Sequence, residues 1–557
     1  MNRTRGQAAI WAAPVLFFGV LFYWPLAKIL SMGFSGNWLQ AIATGRIADL
    51  VWFTIWQAAL SAALSLFFGI PGAYVLYHRS FPGQKFIRAF ITVPFMLPTI
   101  VVAIGFTAYR GLPLISNLLQ GHSGVPIIIC ANVFMNYSLA VRIIGGVWTT
   151  LDTGLEDAAA LDGAGRLRTL VSVTLPQLTQ AIASAGSLIF LYCAANFGLV
   201  LVLGGAAVKT VETEIYLVTT QNLDLTKAAG LVLIQTILTV VAFVVAQRLS
   251  KGHLTFLGTT TMDRRPRIDK RDLPATLITT VFTISLIFLP LSTVIWRAFR
   301  IENGFSFRNF ANLGGFGARD ALSISVGHAA VNTVRNAIIT TILSMTIGTL
   351  ASFILSRPTT YGNPRRFQRL MDIAFQMPVG ISSVVLGFGY LVTFGGGLFP
   401  LRSSWLVTPI AQSLLSIPLV IRMLHPAITA IDNQLRETAQ TESANPSQIW
   451  WLIEVPIIRN VLAMATGYCA IIAIGEFGAA NFLAYGDQGT LPTVLYQLIS
   501  RPGAQNYGMA MAASALLIGT AMFIMYAISA FESQAPKPSA SEYAQTSISS
   551  RSIALIP

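Results

Sequence analysis

Twelve times along this chain of 557 residues an apolar run recurs that is about as long as a helix crossing a hydrocarbon core, which needs about 20 residues. The runs fall near 8–27, 51–77, 89–109, 125–150, 179–203 and 228–246, then near 275–296, 329–356, 371–394, 404–428, 460–485 and 508–530. Lipid offers no partner to peptide groups, so such runs must pair their backbone internally, as helices. The chain is therefore predicted to be an all-α integral membrane protein. Only 10% of its residues are charged, against about a quarter in a soluble domain, and its mean hydropathy is +0.66. The first run lies between Arg5 and Lys28 with no small-residue cleavage site behind it, so it reads as a retained helix, not a leader.

An even number of spans puts both termini on one side, and the basic residues say which. Of the 36 lysines and arginines, 22 fall on the side of the termini, against 12 counted to the other and two to the spans. Both termini are predicted to be cytoplasmic in a multi-pass inner-membrane protein, and the net charge of +14 becomes a sign of sidedness, with no nucleic-acid partner implied. The loop 297–328, with Arg297, Arg300, Arg308 and Arg319, runs against the count locally. The basic segment 248–273 reads as a cytoplasmic linker between a first half, 1–247, and a second half, 274–531. The tail 532–557, rich in Ser, Ala and Gln, is expected to be disordered.

The halves are copies of one another. A shift of 280 positions lays Pro98 on Pro378, Leu139 on Leu419, Arg142 on Arg422, Asp152 on Asp432 and Pro176 on Pro456. The same shift lays Asn196-Phe197-Gly198 on Glu476-Phe477-Gly478, and Thr210 with Tyr216 on Thr490 with Tyr496; upstream, Gly69 matches Gly348 at 279. Six spans per repeat is even, so both copies run the same way through the membrane. A parallel pseudo-two-fold along the membrane normal follows, with a solute path expected between two fused six-helix halves.

After the fourth span of each half comes a loop on the predicted cytoplasmic side, 152–178 and 432–458. The first reads Asp157-Ala158-Ala159, three residues, Gly163, nine residues, Val173, one residue, Leu175-Pro176. The second reads Glu437-Thr438-Ala439, three residues, Ser443, nine residues, Ile453, one residue, Val455-Pro456. The acid suits the first turn of a short helix, glycine a tight turn, Leu167 to Leu175 a second short helix, and proline the start of the next span. A surface hairpin of this kind suits a groove in a partner protein.

These segments resemble the EAA loop of the membrane subunits of binding-protein-dependent ABC importers, whose pattern is Glu-Ala-Ala, three residues, Gly, nine residues, Ile, one residue, Leu-Pro. The resemblance implies a type I importer permease fold, with each loop forming a coupling helix that docks on an ABC ATPase subunit. Two ATPase copies would fit the duplication, with ATP and Mg held by them, and an extracytoplasmic solute-binding protein would deliver the substrate. Asp157 for Glu, and Thr438 and Ser443 for Ala and Gly, depart from the pattern; serine costs more than glycine if φ is positive there. Fusion of the halves, with Gly475-Glu476-Phe477-Gly478, Thr490-Leu491-Pro492 and Glu214-Ile215-Tyr216, is similar to the thiamine permeases and the related ferric-iron permeases. Thiamine is the first expectation, ferric iron the alternative, and another small solute stays open.

The chain holds no GxxxxGK[ST] to cradle ATP phosphates, no GxSxG, and no HExxH among its five histidines, so neither a catalytic nor a metal site is expected. Cys130, Cys193 and Cys469 read as small buried residues. A carboxylate in a span is costly enough to suggest function, so Glu476, with Asn196 at the equivalent place, is a candidate for the substrate path, or else for pairing with an arginine or capping a helix break beside Gly475 and Gly478. An ion-coupled secondary transporter, working through such carboxylates, is the rival class. Arg142 and Arg422 are expected to snorkel, Tyr216 and Tyr496 to anchor at the membrane interface, and Pro94, Pro98 and Pro378 to kink the third and ninth spans.

Overall fold

The computed structural model describes residues 12–35, 46–118, 124–151, 153–205, 207–249, 266–301, 304–356, 364–395 and 404–532. Most of the predicted linker and nearly all of the predicted disordered tail lie outside them. The first half contributes α1 (Ala12–Phe34), α2 (Ile47–His78), α3 (Gln84–Met96), α4 (Thr99–Arg110), α5 (Val125–Trp148), α6 (Thr153–Leu161), α7 (Arg166–Ala194), α8 (Phe197–Leu203), α9 (Val211–Thr220) and α10 (Leu225–Ala246). The second repeats them in order as α11 (Lys270–Phe299), α12 (Val326–Ser356), α13 (Gln368–Gly380), α14 (Ser383–Phe394), α15 (Val407–Thr429), α16 (Asn433–Thr441), α17 (Pro446–Gly475), α18 (Gly478–Leu483), α19 (Leu491–Ser500) and α20 (Ala504–Ile528). Among the described residues the only strands are β1 (Arg300–Ile301) and β2 (Gly304–Phe305), an antiparallel pair.

Ten of these helices are long and apolar enough to cross a membrane, and the pairs α3/α4 and α13/α14 bring the number to twelve. Those pairs correct the expected kinks. They turn through 103° and 97°, so the third and ninth runs are each two helices meeting at nearly a right angle, in place of one kinked helix. Pro98 caps α4, whereas Pro378 lies in the single 3-10 turn before the other break, with Ser382 as the cap of α14. Thr99 and Ser383 begin the second helix of each pair, 284 positions apart. The Pro98–Pro378 match at 280 is therefore not a structural equivalence.

The fifth and eleventh spans are also corrected. Each starts earlier and ends earlier than its apolar run: α7 stops at Ala194 and α17 at Gly475, and separate short helices follow at Phe197 and Gly478. Nor is Leu167–Leu175 an independent helix. It is the first part of α7, joined to the span through a π turn at Leu170–Thr174, and Trp450–Glu454 does the same in α17. Hydropathy misses these starts because the helix continues beyond the lipid on polar residues.

The first helix of each half crosses to the other. Alpha-helix α1 packs against its own α10 and against α14 of the second half, while α11 packs against its own α20 and against α4 of the first. Within each half, α2 and α5 lie in close contact, as do α12 and α15. A Cβ at Gly69 would meet Ala140 Cβ at 2.6 Å, and one at Gly348 would meet Val420 Cβ at 2.7 Å, so the same small-residue approach sets both pairs.

Candidate functional site

Two places are built by the repeat, a pair of hairpins on one membrane face and an aromatic closure at the pseudo-two-fold. In the first hairpin, α6 ends in a Schellman motif: the Ala164 N–H donates to the Ala159 carbonyl at 2.9 Å and the Gly163 N–H to Ala160 at 3.1 Å. The second repeats it, Ala444 to Ala439 at 3.0 Å and Ser443 to Gln440 at 3.0 Å. This motif explains the spacing, since the last alanine of the triplet supplies the carbonyl and the residue four later must turn left-handed. Gly163 has φ +79° and Ser443 has φ +65°.

Asp157 and Glu437 do not sit in the first helical turn, as expected from sequence; they lie in the second turn, exposed. In α16 the capping acid is Asp432, whose carboxylate accepts from the Gln434 N–H at 2.9 Å; its counterpart Asp152 lies outside the described residues. Ala158, Thr438 and the two prolines Pro176 and Pro456 are exposed, while Ala159, Ala439, Leu175 and Ile453 are half-buried. The outward surface is apolar beyond what a lone hairpin needs: Leu155, Leu161, Leu167 and Val171 are exposed on the first, and Leu435, Trp451 and Leu452 on the second. At the places of Leu161 and Leu167 the second hairpin carries Thr441 and Ser447.

Sequence reasoning missed how each hairpin is tied to the span behind it. Thr174 donates to Glu156 at 2.7 Å, with His78 Nε2 3.8 Å from the same carboxylate. At the positions 280 later, Arg436 Nε donates to Glu454 at 2.6 Å, and its Nη2 donates to the Ile428 carbonyl at 2.9 Å. The bridge is conserved in place while its chemistry changes from a neutral–acid hydrogen bond to a buried ion pair. A second tie crosses the halves. Asp272, at the start of α11, accepts from Tyr74 at 2.7 Å and pairs with Arg79 at 3.1 Å and with Arg166, just past the first hairpin turn, at 3.2 Å.

At the centre, Phe197 and Phe477 stack on one another with ring centroids 5.5 Å apart and planes at 16°. They are 280 positions apart, so the pseudo-two-fold runs between the two rings. Tyr216 packs edge-on against Phe197 at 5.3 Å, and Tyr496 lies tilted against Phe477 at 5.6 Å. Both tyrosines are half-buried and have a ring of the stack as partner. Gly198 and Gly478 allow the approach: a Cβ on Gly198 would meet Thr99 at 2.6 Å and the Phe477 ring at 3.0 Å, and one on Gly478 would collide with Ser383. Arg422, expected to snorkel, donates to Gln376 beside the second bend at 3.2 Å.

Asn196 and Glu476 flank the stack, both buried. Asn196 donates to Asn132 at 2.9 Å, and Asn132 in turn to Gln57 at 3.0 Å. Glu476 accepts from the Ala479 and Ala480 N–H groups at 2.7 and 3.0 Å, capping α18, and also takes hydrogen bonds from Ser383 and Gln412. Glu212 is a second buried carboxylate nearby that sequence reasoning did not single out; it accepts from Gln235 at 2.9 Å. Among the described residues no group of three or more His, Cys, Asp or Glu side chains is placed to hold a metal ion.

The family model described as binding-protein-dependent transport system inner membrane component matches residues 65–253 and again residues 348–531. The chain is similar to the thiamine transport system permease protein ThiP of Haemophilus influenzae, 24% identical over 515 residues, covering 90% of this chain and 93% of that protein. ThiP of Escherichia coli K12 is also 24% identical, over 521 residues, with the same coverage. The ferric transport system permease protein FbpB of Actinobacillus pleuropneumoniae is 23% identical over 546 residues, covering 92% of this chain and 76% of that protein.

Proposed function

The chain belongs to the family of inner membrane components of binding-protein-dependent transport systems, and from that premise we propose that it is the ATP-driven permease of a thiamine importer. The observation that carries the reading is the pair of hairpins, 280 residues apart and closed by the same turn, each presenting an unpartnered apolar surface on the same face. Two ATPase subunits, which hold ATP and Mg, dock there, one per hairpin. That face is cytoplasmic, as are both termini, and a solute-binding protein delivers substrate on the opposite one.

The hairpins act on the centre through continuous helices. Each is joined through its turn to α7 or α17, and these run without a break to Ala194 and Gly475, next to the Phe197–Phe477 stack. ATPase closure draws the hairpins together, the two halves rock about the two-fold, and the stacked rings part. Asn196 and Glu476 flank the opening path and hold the ends of the helices that form it.

Vesicles containing this chain, its ATPase and its binding protein test the reading. ATP-dependent uptake of labelled thiamine is expected, and none by the chain alone. Uptake of ferric iron but not thiamine would replace the substrate, and gradient-driven transport by the chain alone would replace the class. Leu161→Glu is expected to abolish ATPase binding to the first hairpin, because it places a charge on a surface that docking must dehydrate.

A further inference from the structure

Beyond the end of α11, on the face opposite the hairpins, a cavity of about 850 Å³ opens between the two halves. Alpha-helix α11 starts beside Arg166 of the first hairpin and is 30 residues long, so its far end lies roughly 45 Å away at 1.5 Å per residue. The cavity is lined by Arg297, Arg300 and Arg308, and among the described residues no carboxylate lines it. These are three of the arginines that run against the basic-residue count.

Their frame is built. Asn309 donates to the carbonyls of Ala298 and Arg300 at 3.0 and 3.1 Å, fixing the backbone under two of the arginines' helix and strand. Arg297 donates from Nη1 to Tyr507 at 2.9 Å, and its Nε is buried with no hydrogen-bond partner. Arg300 lies over the Trp296 ring at 4.5 Å, and both Arg300 and Arg308 are exposed. Three guanidinium groups in one cavity repel each other unless an anion joins them, and their planar forks match phosphate oxygens.

The cavity's level in the membrane is set by Trp296. It closes a row of exposed apolar residues along α11, Ile284, Phe288 and Ile295, that faces lipid; tryptophan at the end of such a row marks the headgroup layer. We propose that the cavity binds the phosphodiester headgroup of an anionic phospholipid through Arg297, Arg300 and Arg308, with the lipid's chains lying along α11. The lipid then bridges α11 and α20 of the second half and Gly111, Leu112 and Pro113, which follow α4 of the first.

Native mass spectrometry of the full delipidated chain, mixed with phosphatidylglycerol, tests this. Wild type is expected to retain phosphatidylglycerol, and the Arg300→Gln/Arg308→Gln variant to hold it at least about tenfold more weakly, each lost charge-assisted hydrogen bond being worth that much. Arg300→Lys/Arg308→Lys should recover part of the binding, and both variants should melt as wild type does, because these side chains are exposed. Equal retention by wild type and the glutamine variant overturns the proposal. Displacement of the lipid by equimolar inorganic phosphate overturns the lipid as the source of the anion. Unchanged lipid binding with lost capture of the solute-binding protein also overturns it, and assigns the arginines to an acidic protein surface.

Discussion

Ser443 and Gly163 hold the same left-handed position in two copies of one turn, but only glycine holds it without cost. For a residue with a Cβ the left-handed region costs about 1–2 kcal/mol, so the second hairpin is closed less firmly than the first. Ser443→Gly should slow hydrogen exchange of the Ala444 amide roughly fivefold, and Gly163→Ala should speed that of Ala164 by a similar factor, each corresponding to about 1 kcal/mol. Equal exchange in wild type and Ser443→Gly would show that the serine is held without strain. The turn residues were legible in the sequence because a left-handed position restricts residue type locally. The capping acid was not: the choice of Asp432 over Glu437 depends on where the chain leaves α15, and that is set by packing.

At the scale of elements, four π turns precede prolines, in two repeat-related pairs. Gly19–Tyr23 and Thr283–Phe288 stand before Pro25 and Pro290, and Leu170–Thr174 and Trp450–Glu454 before Pro176 and Pro456. Proline has no N–H for the carbonyl four residues back and its ring pushes against it. The wider turn lets the preceding residue donate five back instead, as Leu175 does to Leu170 and Val455 to Trp450, so the helix continues past the proline. The tie across this turn makes hairpin and span one lever. Arg436→Ala removes the guanidinium paired with the buried Glu454 carboxylate, and thermal stability should fall, by up to about 5 kcal/mol. ATP hydrolysis should then persist while transport falls. Installing the first half's pair, Arg436→Glu with Glu454→Thr, should restore coupling that Arg436→Glu alone destroys, and failure of that rescue would separate the tie from coupling. The second span pair makes the same point about packing: Gly348→Ala should cost about 1–3 kcal/mol in thermal stability, because its Cβ falls 2.7 Å from Val420.

For the whole molecule, the stack of Phe197 on Phe477 is where two copies of one residue meet. Truncating either to alanine should open a leak for small solutes in vesicles without ATP, and the double variant should leak little more than either single one, since both remove one closure. Additive leaks would place the barrier elsewhere. The crossed first helices bind the halves in the other direction: α11 packs on α4 of the first half as well as on its own α20, and α1 on α14 of the second as well as on its own α10. Halves expressed as separate chains should be stable together and degraded singly, with Asp272→Ala weakening their association through loss of Arg79 and Arg166. By itself the sequence determined the membrane class, the number of apolar runs, the duplication and the hairpin motif, because hydropathy, spacing and turn chemistry act over a few residues and need no distant partner. Only the tertiary structure decided which apolar runs break at right angles, that the first helices cross over, that Tyr216 and Tyr496 pack on Phe197 and Phe477, and that Phe197 meets Phe477. Those outcomes depend on which surfaces touch, and in a chain apolar nearly throughout, contact is selected by small residues, glycine gaps and buried hydrogen bonds, which hydropathy does not register.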